Sequence, residues 1–199
     1  MEDFKQYRRT QIAEMRLFCL ENNYKCIMAS SLFGNNKNQL MLSKWKNGTG
    51  HDAIEKANNI KNQLVQNHIV VDRVKVESIM SNAGVPLEPN DDHDKSHYFE
   101  YHIKTMCKDK NMWNLFESIC TKFKKDNNIK CGISFNAFHD YIKILVTIRV
   151  GAYHGKNNAE KIKDNFIDYF KLNDVHFNDE IQKEFSIYDT NESYDDDWL

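Results

Sequence analysis

Asn22-Asn23-Tyr24-Lys25-Cys26 and Asn127-Asn128-Ile129-Lys130-Cys131 are two occurrences of one pattern, Asn-Asn-x-Lys-Cys, set 105 residues apart in a chain of 199. Each follows a stretch of helical periodicity and opens a strand-like run. Asn tolerates the left-handed backbone conformation that ends helices, so each pair predicts a helix stop followed by a strand. An offset of about half the chain predicts an internal duplication, because solenoid repeats have periods of only about 20–50 residues.

Working outward from the first pair, Ile12, Met15, Cys19 and Leu20 recur at helical spacing, with Thr10 as an N-cap and a short first strand over Phe4–Arg9. Strands follow at 24–30 and 39–45, either side of a turn cluster at 34–38. A helix over 51–67 carries Ala53, Ile54, Ala57, Ile60, Leu64 and Val65, and a strand over 69–79 closes the half. The second half repeats this order. It has strands at 98–107, 129–135, 141–152 and 181–188, a helix over 112–126 on Trp113, Phe116, Ile119, Cys120 and Phe123, and a helix over 157–172 on Ala159, Ile162, Phe166, Ile167 and Phe170. The expected fold class is α+β, with tandem duplicated ferredoxin-like (β-α-β-β-α-β) repeats and a polar groove between the sheets. The repeats span 1–80 and 97–191. A linker over 81–96 holds both prolines, Pro86 and Pro89, and an acidic tail covers 192–199.

A net charge of −2 supplies no global field toward nucleic acid or anionic lipid. Five scattered cysteines, none in a CxxC, read as buried free thiols in a reducing compartment. No run approaches the ~18 apolar residues of a membrane span, and the first residues have no signal-peptide h-region. These features predict a soluble cytoplasmic protein, in the host cytoplasm or the virion if it is viral.

Period-2 alternation sorts the strands into two faces. Val74 and Val76 oppose Arg73, Lys75 and Glu77. Phe99, Tyr101 and Ile103 oppose Glu100, His102 and Lys104. Val146, Ile148 and Val150 oppose Leu145, Thr147 and Arg149, and Phe185 and Ile187 oppose Glu184, Ser186 and Tyr188. The apolar sets belong under helices. The ionisable sets form either a solvated face of mixed charge pairs or a polar cavity for an anionic ligand. In the second reading Arg73, Lys75, Glu77, Glu100, Lys104 and Arg149 bind a phosphate-bearing ligand, because Arg and Lys supply fixed charge and many donors. His102 is the candidate catalytic acid or base.

No metal ligand set is assigned. His93 and His97 with Asp91, Asp92 and Asp94 read as a solvated acidic loop. His154, ahead of the helix at 157, reads first as an exposed loop histidine, with an anion site at that helix N-terminus as the alternative. The P-loop, dinucleotide, zincin and nucleophile-elbow motifs are absent.

Four stretches carry a resemblance: Asp72-Arg73-Val74-Lys75-Val76-Glu77, Gly84-Val85-Pro86, Tyr98-Phe99-Glu100-Tyr101-His102-Ile103-Lys104, and Glu184-Phe185-Ser186-Ile187-Tyr188-Asp189-Thr190-Asn191 with Trp198-Leu199. Together they resemble a family of bacterial and large-DNA-virus proteins of no established activity, with the pattern R-V-K-I-E, G-V-P, Y-F-E-x-H-x-K and a closing Y-D-S-N before a tryptophan. The resemblance spans most of the chain and implies no reaction. Members of that family have a further His in the first strand, where Phe4–Arg9 offers none. Two related lobes around a groove also resemble two-histidine phosphoesterases in architecture, but the His-x-Thr/Ser signature is absent, and His102-Ile103-Lys104 is the nearest match.

The functional expectation is binding, and in one version hydrolysis, of a small phosphate-bearing ligand such as a nucleotide in the groove. Cofactor, reaction and oligomeric state are left open. Two other classes use the same residues: an RNA-binding module on the basic strands, and a non-enzymatic interaction scaffold docking a partner through Asp195-Asp196-Asp197-Trp198-Leu199.

Overall fold

Both Asn-Asn pairs end a helix in the same way. Asn23 and Asn128 take left-handed φ angles of 55° and 51°. Asn22 and Asn127 donate from their side-chain amides to the carbonyls of Phe18 and Phe123, four residues back. Tyr24 N–H and Ile129 N–H reach back to the carbonyls of Cys19 and Lys124, closing the last helical turn. Strands then begin at Lys25 and Lys130.

The computed structural model describes residues 2–31, 37–139, 143–175, 177–196 and 199, with side chains described outside 2–9 and 178–180. The elements in order are α1 (Glu2–Glu21), β1 (Lys25–Ser30), β2 (Asn38–Ser43), α2 (Gly50–Gln66), β3 (Lys75–Ile79), β4 (Tyr98–Met106), α3 (Lys110–Asn127), β5 (Lys130–Asn136), β6 (Lys143–Gly151), α4 (Gly155–Lys171) and β7 (Phe177–Asp189). Short 3-10 turns cover Ala152–His154 and Glu192–Asp195. The class is α+β. The predicted turn at 34–36 and the predicted strand start at Tyr141 lie outside the described residues.

The strands form one antiparallel sheet of seven, ordered β2-β1-β5-β6-β4-β7-β3. The expectation of two sheets with a groove between them is replaced by a single curled sheet. The reason lies at the N-terminus, where the predicted strand over Phe4–Arg9 is the beginning of α1. That segment holds no β-branched residue and several good helix formers, and Thr10 sits inside the helix instead of capping it. Without that strand the first half has three strands. They do not close a sheet of their own but extend the four strands of the second half, the β1–β2 hairpin on one edge and β3 on the other. The predicted strand over 69–79 also shortens, because Ile69 and Val71 turn aside to pack with α1 and α2.

Helices α3 and α4 cover one face of the sheet. Phe99, Tyr101 and Ile103 of β4 and Val146, Ile148 and Val150 of β6 lie beneath Phe116, Phe123, Phe166 and Phe170, all within the main core. Each such ring contributes about 1.5–3 kcal/mol by leaving water. Met15 and Cys19 of α1 form a second cluster with Ile60 and Leu64 of α2, against Leu40 and Leu42 of β2. A capping box starts α2: Thr49 Oγ1 accepts from Asp52 N–H, and the Asp52 carboxylate accepts from Thr49 N–H. All five cysteines are unbridged, and four of them are buried. No helix among the described residues is long and apolar enough to cross a membrane.

The sheet is rolled. Seven flat strands would set β2 and β3 roughly 29 Å apart at about 4.8 Å per strand. Yet Gln39 of β2 and Arg73, two residues before β3, both bond the Asp195 carboxylate, at 2.9 and 2.6 Å. The polar side chains therefore line a concave interior, and α2 touches both edges of the roll.

Segment 81–96 contains no helix or strand. It packs closely: Val85 joins the core, and the carbonyls of Pro86 and Leu87 accept the N–H groups of Lys156 and Asn157 at the start of α4. Gly155 makes this approach possible, with φ at +67° and no room for a side chain. A Cβ there would lie 2.5 Å from the Glu88 carbonyl carbon and 2.7 Å from its Cα. Gly155→Ala is expected to lower unfolding free energy by at least about 2 kcal/mol. A urea titration within about 0.5 kcal/mol of wild type would contradict this account.

Candidate functional site

The concave face is built by alternation on β4, β6, β7 and β3. Paired residues in neighbouring antiparallel strands share a face. Glu100 lies opposite Arg149 on one side and Glu184 on the other. A bulge between Val76 and Glu77 then sets the last strand: Lys75 pairs with Asp189, Val76 with Tyr188, and Glu77 with Ser186. Asp189 thus joins the polar face, and Tyr188, expected there, shares the opposite face with Val76.

The predicted residues Arg73, Lys75, Glu77, Glu100, His102 and Arg149 come together, and Lys104 does not. It lies two residues beyond His102 on β4, is exposed, and has no carboxylate of the cluster within reach. Two linked groups result. In the first, Arg73 grips Asp189 through Nε (2.9 Å) and Nη2 (2.5 Å) and donates to Asp195 through Nη1 (2.6 Å). Arg149 donates through Nε to Glu100 Oε1 (2.7 Å) and through Nη2 to Asp195 Oδ2 (2.6 Å). Tyr98 hydroxyl donates to Asp189 Oδ2 at 2.6 Å and lies under the Arg149 guanidinium, 4.3 Å from ring centre to Cζ.

In the second group, the Lys75 ammonium bonds Glu100 Oε2 and sits 2.5 Å from Glu77 Oε1. His102 Nε2 lies 3.1 Å from Glu184 Oε2 and 3.6 Å from Glu100 Oε2, while its Nδ1 meets Thr147 Oγ1 at 3.0 Å. Gln182 donates to the other oxygen of Glu184 at 2.6 Å. Ligand atoms of Glu77, Glu100, His102 and Glu184 all lie within 4.8 Å of one another, a spacing at which one metal ion reaches all four. The buried hydroxyl of Ser186, between Glu77 and Tyr98 in register, is on the same face and has no hydrogen-bond partner among the described residues.

The two groups titrate differently. Burial works against ionised Asp189 and Asp195, but the guanidiniums outweigh it and hold both carboxyls below their usual range. Glu100 is likewise lowered, with Lys75 and Arg149 overcoming its burial. Burial pushes the Glu77 carboxyl up to about 7; Lys75 opposes this, and Glu184 and Glu100 add to it. Burial disfavours the His102 imidazolium, but the bond to Glu184 and the charges of Glu100 and Glu77 raise its pKa overall.

Gln39, Glu184, Asp189 and Asp195 are among the site residues that local patterning missed. Glu184 falls on the right face by alternation, but only strand order brings it beside Glu100 and His102. Asp195 is reached through the rolling of the sheet. The acidic loop at 91–94 is otherwise engaged: Asp91 caps the N–H groups of Leu87 and Glu88, and Asp94 caps that of Ser96. The anion site expected at His154 is closed, because the first free N–H groups of α4 are taken by Pro86 and Leu87. Comparison of the chain with protein-family models, curated proteins and solved structures returns no match.

Folding binds protons at Glu77 and His102, since both pKa values are raised above their ordinary 4.5 and 6.5. Their stabilisation is full below those ordinary values and is lost as pH rises, through about 7 for Glu77. In metal-free buffer the urea midpoint is expected to fall between about pH 5 and about pH 8, and Glu77→Gln to flatten the fall. A wild-type midpoint that rises over this window would rule out a raised carboxyl.

Proposed function

We propose that the concave face binds a divalent cation through Glu77, Glu100, His102 and Glu184, and that the cation and the flanking guanidiniums hold a small phosphate-bearing ligand. The observation that carries this reading is a charge deficit. Arg73 and Arg149 are balanced by Asp189 and Asp195, which leaves Glu77, Glu100 and Glu184 facing the single ammonium of Lys75. Two negative charges are left over in a cluster where the Glu100 side chain is only 3% exposed and that of Glu77, at the open edge, 27%. The raised proton affinity of Glu77 and His102 offsets that deficit. A divalent cation would supply both charges at once and displace protons held there.

Three carboxylates and an imidazole suit Mn²⁺, Mg²⁺ or Zn²⁺, and the Ser186 hydroxyl is a neutral donor on the same face. A cation beside Arg149 and Arg73 would polarise a phosphoryl oxygen, which is the chemistry such sites supply. His102, read from sequence as an acid–base group, becomes a ligand, with Thr147 accepting the proton on Nδ1. Three of the four stretches that carry the family resemblance contribute side chains to this face: Arg73, Lys75 and Glu77, then Glu100 and His102, then Glu184 and Asp189.

The shared Asn-Asn turn supports a further part of the reading, that the two halves are diverged copies of one β-α-β-β-α-β unit. The second copy keeps every element, and the first has a helix in place of its first strand. The RNA-binding alternative draws no support from the geometry, because Arg73, Lys75 and Arg149 face inward onto carboxylates.

Titration of EDTA-treated protein with Mn²⁺ at about pH 6.5 is expected to raise Tm and to release one to two protons per ion, read as a buffer-dependent heat. Glu184→Gln should weaken Mn²⁺ binding by about tenfold or more. Absence of heat and of a Tm shift with about 1 mM Mn²⁺, Mg²⁺ or Zn²⁺ would sink the cation site.

A further inference from the structure

The proposed cation site makes no use of Asp195, which is among the most firmly held side chains of the interior. Its Oδ2 accepts from Arg73 Nη1 and Arg149 Nη2, both at 2.6 Å, and its Oδ1 accepts from Gln39 Nε2 at 2.9 Å. The donors come from β2, from β6 and from the approach to β3. The acceptor comes from the short turn Glu192–Asp195, beyond the last strand. Two guanidiniums and an amide converging on one point are donors suited to a tetrahedral oxyanion, whose extra oxygens and second charge use them more fully than a carboxylate does.

We infer that Arg73, Arg149 and Gln39 form a phosphate subsite, that the Asp195 carboxylate occupies it as an internal stand-in, and that the tail releases it when a phosphate-bearing ligand binds. This inference rests on the reading of the concave face as a phosphate-ligand site. It deepens that reading by placing the phosphate and by making the tail a gate.

Three features support it. The subsite adjoins the cation cluster, since Glu100 bonds Arg149 through Oε1 while its Oε2 faces Lys75 and His102. A phosphate in the place of Asp195 would stand one carboxylate away from the bound cation.

The guanidiniums also stay aimed when the tail leaves. Arg73 remains clamped by both oxygens of Asp189, and Arg149 remains on Glu100. Removing Asp195 frees the Arg73 Nη1 and Arg149 Nη2 donors, both aimed at one point.

Lastly, there is a way in. A cleft of about 310 Å³ opens beside the tail, lined by Lys95, Tyr98, Lys130, Arg149 and Glu192. The turn is fastened from outside by the surface pair Lys130–Asp196 and by Lys124 Nζ donating to the Leu199 carbonyl. Asp189 stays on Arg73, so releasing Asp195 requires only the turn Glu192–Asp195 to move, with loss of the Arg149 bond to the Glu192 carbonyl.

Inorganic phosphate is the probe, titrated into wild-type protein and Asp195→Ala with and without Mn²⁺. Without its internal competitor, Asp195→Ala is expected to bind phosphate about tenfold or more tightly than wild type. Adding Arg149→Gln should abolish the gain. If Asp195→Ala proves too unstable to titrate, Asp195→Asn removes the charge and keeps the contact with Gln39, and a smaller tightening is expected.

In the wild-type chain, saturating phosphate is expected to speed amide hydrogen exchange across 191–196, where Tyr194 and Asp196 N–H groups are now bonded within the turn. Folded variants that bind phosphate no better than wild type, or exchange that phosphate leaves unchanged, would overturn the subsite. Mn²⁺ binding is read separately in the same samples. Retained Mn²⁺ binding with no phosphate gain rejects the subsite alone, whereas loss of Mn²⁺ binding in wild type rejects the cation reading.

Discussion

The carboxylate of Asp195, shared by Arg73 and Arg149 and steadied by Gln39, joins parts of the sheet that strand pairing alone leaves apart. Hydrogen bonding along the ladders fixes which strands are neighbours but leaves the overall curl adjustable. Ion pairs at this depth gain little net energy over an apolar filling, because desolvation offsets the attraction. Breaking one of them is different. A guanidinium left unpaired in the interior costs roughly 3–5 kcal/mol. The network therefore contributes more to shape than to stability, and the curl that brings β2 toward β3 is the shape it selects.

Stability comes mainly from the other face. The apolar layer between the sheet and α3 and α4 holds the ring pair Phe99–Phe185 and the linked rings of Phe116, Phe170, Phe166 and Phe123, at 4.6–5.6 Å between centroids. A rigid apolar side is what lets the polar side hold like charges close together. Glu77, Glu100 and Glu184 would repel one another apart if their strands could slide, but β4 is paired along its length with both β6 and β7. Burial, with Glu184 and Glu100 adding to it, appears as raised proton affinity at Glu77, and the neighbouring carboxylates raise that of His102.

Local pattern was enough to place most of this. Alternation is a property of a single strand, so Arg73, Lys75, Glu77, Glu100, His102 and Arg149 could be assigned to one face without knowing any pairing. The Asn-Asn turns were legible because left-handed Asn is a local preference. The same logic overreached at Lys104, since alternation says which side a residue faces but not how far along the strand the cluster extends. It failed at Tyr188 because one extra residue in a bulge exchanges the faces beyond it. Residues 4–9 misled because a short amphipathic run fits either period, and helix propensity decided the matter. Gln39, Glu184 and Asp195 needed strand order or curl, which are tertiary facts. Placing the site in a groove between two sheets followed from assuming that both halves closed on themselves.

The position of Asp189 and Asp195 late in the chain bears on how the molecule is made. Synthesis delivers β1 through β6, with Arg73 and Arg149 among them, well before either carboxylate leaves the ribosome. Until then Arg73 lacks both of its carboxylates, Arg149 has Glu100 but not Asp195, and β3 has no strand to pair with, because β7 is its neighbour. The closing contacts span 116 and 122 residues for Arg73 alone. Loops that long are slow to close. The order of synthesis therefore leaves the two edges of the roll unjoined until β7 and the turn after it have been made.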